Sequence, residues 1–219
     1  MVRVPIKTIR RNELQKAAYE VALKFGCRGA TIEKIAQHAG VSKGIVHHYF
    51  DSKHQLLEYV TRYAHAVIGK GVTQRLKRAK TPSDRLWAIV EGNFAQEIHT
   101  PEYFRLWFET IHEKSLAYVH QILEQRTVSN LKFVLKQMMV PEKVDSAAYA
   151  IMNIYDGFWA LASTDPSLKR ETALAMIAEY IKEVVPSFDI AAANLGDIQG
   201  DRGVVLAKPR SPPPETIRS

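Results

Sequence analysis

The chain has 219 residues, of which 46% are apolar and 24% charged, and it carries a formal net charge of +7. That balance belongs to a globular chain with a real core, and no apolar run reaches the roughly 20 residues a membrane-spanning helix needs, so no membrane partner is expected. The lone Cys27 rules out an internal disulfide, and MVRVPIKTIRR lacks the apolar stretch of a secretion signal; a cytoplasmic protein is the expectation.

Helical spacing dominates from the start, with almost no strand signal. In residues 8–25, Leu14, Ala17, Ala18, Val21, Ala22 and Phe25 recur at i, i+3, i+4 and i+7, which predicts an amphipathic helix stopped by Gly26. Thr31 is a good N-cap for a short helix over 32–38, with Ile32, Ile35 and Ala36 facing inward. Gly40 ends it at a tight bend and Val41 packs back into the core. Ser42 caps a second short helix over 43–49, anchored by Phe50. Ser52, with Gln55 three residues on, fits a capping box that opens a long helix to about Arg78.

Two short helices joined by a tight turn, with basic residues on the second, are how a helix-turn-helix offers a recognition helix to the major groove of DNA. Ser42, Lys43, Gly44, Ile45, His47 and His48 lie on or near the turns that would enter the groove. Lys43, His47 and His48 can donate to base acceptors or phosphates, and Ile45 can pack on a thymine methyl. Tyr49 can place a hydroxyl near the sugar-phosphate. The helix starts at Thr31 and Ser52 would aim free backbone N–H groups at the phosphates. Lys53 opposes the dipole of its own helix, which suggests a partner anion. Residues 1–53 hold ten lysines and arginines against four acids, so +6 of the net +7 lies there, as expected for a polyanion binder. Lys53→Ala is expected to weaken binding to every DNA sequence alike and to flatten the salt dependence by about one unit of slope in a gel-shift titration.

Beyond this unit, Thr81-Pro82 and Thr100-Pro101 each join an N-cap to a first-turn proline, opening helices of about 83–98 and 101–114. Further helices are expected near 115–138, 143–163 and 169–185. After Pro186 the chain turns rich in Gly and Pro and reads as a disordered tail. Adjacent His47 and His48 diverge by about 100° on a helix and cannot readily share one ion, so no metal is expected. The chain has no Gly-rich phosphate loop, nucleophile elbow or zinc-ligand spacing, so neither an enzyme nor a cofactor is expected.

The stretch from Ala30 to Leu57 resembles the DNA-binding domain of the TetR family of bacterial transcription regulators. The residues that carry the resemblance are Ala30-Thr31-Ile32, Ile35-Ala36, Ala39-Gly40-Val41-Ser42, Gly44, Tyr49-Phe50, Lys53 and Leu56-Leu57. Within that family, Ile9-Arg10-Arg11, Ala30-Thr31-Ile32, Gly44 to Phe50, Gly92-Asn93-Phe94, Ser129-Asn130-Leu131 and Asp156-Gly157-Phe158-Trp159 look most like the choline-responsive repressors of glycine-betaine synthesis. Most of the wider family has tyrosine where this chain has His47, so no operator preference carries over.

The resemblance implies an all-α protein of about nine helices. Residues 1–53 would form the helix-turn-helix head, 54–186 a helical body for ligand binding and dimerisation, and 187–219 the tail. It also implies a repressor that binds a palindromic double-stranded operator as a homodimer and is released by a small molecule. The body would dimerise through its last two helices, whose faces carry Ala148, Ile151, Tyr155, Phe158 and Ala162, and Ala173, Ile177, Tyr180, Ile181 and Val184; intradomain core is the competing reading of much of that face. Aromatic residues concentrate in the body, and Phe94, Tyr103, Phe104, Trp107, Tyr155, Asp156 and Trp159 are the expected ligand residues. Ring faces beside a carboxylate suit choline or a related quaternary ammonium ion. Plain core is the competing reading of these aromatics, and a regulator with no pocket, or with an unrelated hydrophobic inducer, remains the alternative.

Overall fold

The structure, a computed structural model, describes residues 6–165 and 167–189, with the side chains of residues 6–9, Lys53 and Glu97 outside the description. Nine α-helices and no strand are found among the described residues: α1 (Ile6–Gly29), α2 (Ile32–Ala39), α3 (Lys43–Tyr49), α4 (Lys53–Leu76), α5 (Pro82–Asn93), α6 (Pro101–Ile111), α7 (Ala117–Leu135), α8 (Pro141–Ala162) and α9 (Arg170–Val184). The all-α expectation is met.

Local chemistry explains the boundaries. The Thr31 hydroxyl accepts from Lys34 N–H at 3.3 Å, Ser42 from Ile45 N–H at 3.4 Å and Ser52 from Gln55 N–H at 3.1 Å, each satisfying an otherwise orphan donor. The Gln55 side chain returns to Asp51 N–H at 2.9 Å, one residue earlier than a capping box would place it. Gly40 has φ +64°, and the N–H groups of Gly40 and Val41 bond Gln37 O and Ala36 O at 3.2 and 2.9 Å, closing α2 in a Schellman turn. Gly40 is needed for its left-handed conformation and not for space, because no atom lies within 4 Å of a Cβ placed there. Thr81 and Asp84 exchange bonds at 3.0 and 2.9 Å in a full capping box, with Pro82 in the first turn.

Gly26 does not end α1 outright: its φ of +72° kinks the helix, which resumes through Cys27 to Gly29. Phe25, expected inside, is 44% exposed at this break, with the Lys34 Nζ 4.1 Å from its ring centre. The helix ends facing water there, and two lysines shield the ring instead of a core.

Leu14, Ala18, Val21, Ile35, Val46, Phe50, Leu56 and Val60 form the core of the head. Since Leu56 and Val60 belong to α4, that helix is both the last wall of the head and the first of the body. Its far end crosses α5 at Gly92, where a Cβ would sit 2.5–2.8 Å from Val72. Buried Arg170 donates to Phe94 O and lies 3.4 Å from Glu91, which also faces Arg75 at 3.4 Å. That pairing ties α9, α5 and α4 together while compensating each buried charge.

Two expectations about the body are corrected. Of the faces assigned to dimerisation, Ala148, Ile151, Tyr155, Phe158, Ala162, Ala173, Ile177 and Ile181 are buried in the chain's own core, and Tyr180 and Val184 are half-buried. A helix in a layered bundle spends its most apolar stripe on its own domain first. The outer face of these helices instead carries Tyr149, Leu161 and Met176, 52%, 60% and 47% exposed, with exposed Asn153, Gly157 and Ala160 between them. The folded chain also runs past Pro186. Phe188 is buried with its ring 6.3 Å from that of Trp87, and Asp189 N–H donates to Ser83 Oγ at 3.2 Å. The expected tail from 190 to 219 lies outside the described residues.

Candidate DNA-binding head and ligand cavity

Helix α3 buries one side chain, Val46, and presents the rest. Thr31, Ser42, Lys43, Gly44, Ile45, His47 and His48 are exposed, and Tyr49 is half-buried against the His48 ring. A seven-residue helix has too little apolar face to hold itself, so α3 leans on α2, with Val46 and Phe50 buried beneath it and the Phe50 ring 5.5 Å from that of Tyr59 on α4. The result is a rigid polar helix projecting from a packed base. Lys43 pairs with Glu33 of α2, so a DNA contact by Lys43 requires release of that exposed pair, which holds it weakly. The phosphate role expected of Lys53 concerns a side chain outside the description; its backbone begins α4, as expected.

In the body, α4 to α8 enclose a cavity of about 360 Å³. Its walls include Arg62, His65, Ile68 and Val72 of α4, Asn93 of α5, Trp107 of α6, Glu124, Arg126, Thr127 and Asn130 of α7, and Met152, Tyr155 and Asp156 of α8. The Tyr155 hydroxyl donates to Asn93 Oδ1 at 2.8 Å, and Asn93 Nδ2 donates to Ile89 O at 2.7 Å, so these two side chains are held in place. Burial raises the Tyr155 phenol well above its usual range, helped by nearby Tyr103, Asp156 and Glu124, and keeps it a neutral donor. Burial, with His120 alongside at 3.4 Å, pushes His65 down to about 3, so it adds no positive charge. Burial and the facing Glu124 carboxylate push Asp156 up to about 7, and burial raises Glu124 as well.

Residues 14–60 match the family described as bacterial regulatory proteins, tetR family, and residues 82–186 match the C-terminal domain of BetI-type transcriptional repressors. Over 188 residues the chain is 31% identical to the HTH-type transcriptional regulator BetI of Vibrio atlanticus (strain LGP32), covering 83% of this chain and 94% of that one. It is 33% identical over 190 residues to BetI of Yersinia pestis (strain Pestoides F), covering 84% and 96%. The chain belongs to the TetR family. It is a DNA-binding regulator with a BetI-type C-terminal domain, and its relatives are regulators rather than enzymes. Among solved structures, a TetR transcription regulator from Haloarcula marismortui superposes with a TM-score of 0.73 at 19% identity, covering 81% of this chain and 99% of that one. A transcriptional regulator from Saccharomonospora viridis, solved in complex with choline, gives 0.67 at 16% identity, covering 81% and 98%.

Within this TetR-family body, the seven expected ligand residues separate. Trp107, Tyr155 and Asp156 line the cavity together. Tyr103, Phe104 and Trp159 do not. Trp159 is the hub of a packed ring cluster, with Tyr103, Phe104, Trp107 and Tyr155 centred 5.2–5.6 Å away, and the Tyr103 hydroxyl is occupied by Ala64 O at 3.0 Å. Asp156 and Trp159, three residues apart, were expected to share a ligand-facing surface, but the indole is turned into the core. Phe94 is also core, against Tyr155 and Phe158 at 5.1 and 5.5 Å, and touches only a small satellite void. Large rings bury the most area and are drawn to the centre of the bundle.

Sequence reasoning passed over His65, Asn93 and Glu124 as ligand residues. A signal existed: His120, Glu124 and Thr127 fall at i, i+4 and i+7, in phase with the inward-facing Leu116, Leu131 and Leu135. Polar residues on an apolar stripe face inward, and here they have a cavity to face.

Proposed function

We propose that the chain acts in the cytoplasm as a dimeric repressor that grips a palindromic operator with two copies of α3 and is released by choline or a related small quaternary ammonium ion. The cavity carries this reading: the rings of Tyr155 and Trp107 share it with two carboxylates, Asp156 and Glu124, that no described residue bonds or pairs with. Ring faces and unpaired anions are what an organic cation without N–H donors can use. An apolar inducer would leave both carboxylates desolvated and uncompensated. The choline in the Saccharomonospora viridis regulator supports the same ligand class on the same fold. Calorimetry with choline and betaine aldehyde tests the reading; no heat with either sinks it.

A second copy of the chain supplies the other half of the operator grip, because one helix-turn-helix reads only a half-site, and half-sites lie about 34–36 Å apart. The outer stripe of Tyr149, Asn153, Gly157, Ala160 and Leu161 on α8, with Met176 on α9, is the face offered for that copy; its small residues permit close helix approach.

The route from cavity to head runs through α6. Trp107 lines the cavity, and two residues away on either side Arg105 and Glu109 hold the break in α1. Arg105 Nη2 donates to Leu23 O at 2.5 Å and to Lys24 O at 3.4 Å, while Cys27 N–H donates to Glu109 Oε2 at 2.5 Å. A shift of α6 on ligand binding is thereby handed to the helix that carries the head.

His47→Ala is expected to change the ranking among operator variants, by roughly 1–3 kcal/mol at the base it reads. Equal weakening on every variant in a competition gel shift would reassign His47 to a phosphate.

A further inference from the structure

The two carboxylates of the cavity have a chemistry of their own. Glu124 comes from α7 and Asp156 from α8, and both line the same space. Every other charged or titratable group there is accounted for. On α4, Arg62 is engaged by Glu58 at 2.8 Å and His65 is neutral. Arg126 on α7 is exposed to solvent, and Tyr155 on α8 is a neutral phenol bonded to Asn93. The walls supplied by α5 and α6, through Asn93 and Trp107, bring no charge. Two like charges facing each other in a half-buried space without a committed cation cannot both be ionised cheaply.

We propose that the cavity exchanges a proton for its cation: when empty, Asp156 and Glu124 together retain a proton, and the arriving organic cation displaces it to solvent. This rests on the cation-inducer reading above and adds a consequence to it, namely that the response to inducer is gated by pH. Burial and the facing Glu124 put Asp156 at about 7 in the empty cavity. The pair titrates as a unit, so the observed transition belongs to both carboxyls.

Cation binding needs the ionised pair. Above pH 7 the proton is already gone and affinity is flat. Below it, each pH unit removes close to a factor of ten, so choline affinity is about tenfold weaker at pH 6 than at pH 8. Stability runs the other way. The folded-state value lies above the roughly 3.9 of an unfolded aspartate, so the folded state loses stability as pH rises from about 4 through 7. Asp156→Asn keeps the shape and removes the charge. It should raise the melting temperature at pH 8 by roughly 2–6 °C, lower choline affinity there at least tenfold, and abolish its pH dependence.

The test is calorimetry of the full chain with choline at pH 6, 7 and 8, in two buffers of different ionisation heat, paired with a carboxyl 13C NMR titration of the ligand-free protein. Expected are release of close to one proton at pH 6, release falling towards zero at pH 8, and a carboxyl titrating near 7 that Asp156→Asn removes. Choline binding with equal affinity at all three pH values would overturn the exchange and leave the inducer reading standing. No choline binding at any pH would overturn both. Both carboxyls titrating below 5 would overturn the exchange whatever choline does.

Discussion

Gly92→Ala is expected to lower the melting temperature by roughly 6–12 °C, corresponding to about 3 kcal/mol. The added Cβ would lie 2.5 Å from Val72 Cγ2, 2.6 Å from its Cα and 2.8 Å from its N. Two of those atoms are backbone, so no rotamer change relieves the clash and α4 must move off α5. The effect reaches function because α4 also walls the cavity and supplies Leu56 and Val60 to the head. Operator affinity should fall with stability. Gly69→Ala on α4 is the control: a Cβ there meets nothing within 4 Å, and alanine is the better helix former by about 1 kcal/mol, so scanning calorimetry should show an unchanged or higher melting point. Equal behaviour of the two variants would contradict the close crossing.

Arg105→Ala is expected to separate the two halves of the switch. Its guanidinium holds the Leu23 and Lys24 carbonyls just before the break at Gly26. It lies outside both α3 and the cavity wall. Operator affinity without ligand should stay within about threefold, and choline affinity should be unchanged. What should be lost is the coupling between them, which in switches of this kind is about 5–150-fold. Combining it with Glu109→Gln, which weakens the bond from Cys27 N–H, should bring the coupling below about twofold. Anisotropy titrations of operator DNA at zero and saturating choline read both quantities. Full choline response in the double variant would show that α6 and α1 are not the route.

The head was legible almost residue by residue. Its caps are local chemistry: Thr31, Ser42 and Ser52 bond backbone groups three residues away, and Gly40 supplies a conformation other residues rarely adopt. Such features need no knowledge of the rest of the chain. The body was legible as helices but not as a site. Whether an aromatic such as Trp159 or Trp107 faces a core or a cavity depends on how several helices stack, and both readings share one periodicity. The stripe assigned to dimerisation carried the same ambiguity: the most apolar face of α8 went to the chain's own core, and its outer face is less conspicuous in sequence because Asn153, Gly157 and Ala160 separate its Tyr and Leu. Glu124 and Asn93 were within reach as polar residues on inward-facing positions. That Glu124 shares a cavity with Asp156, and that Asn93 bonds Tyr155, required the fold.

The most direct measurement titrates the full chain against DNA from upstream of its own gene, with and without choline, by gel shift at fixed salt. Expected is a two-fold symmetric site occupied by two chains, with affinity weakened at least fivefold by saturating choline at pH 8. Equal binding to unrelated DNA, or an operator complex untouched by choline, would contradict it.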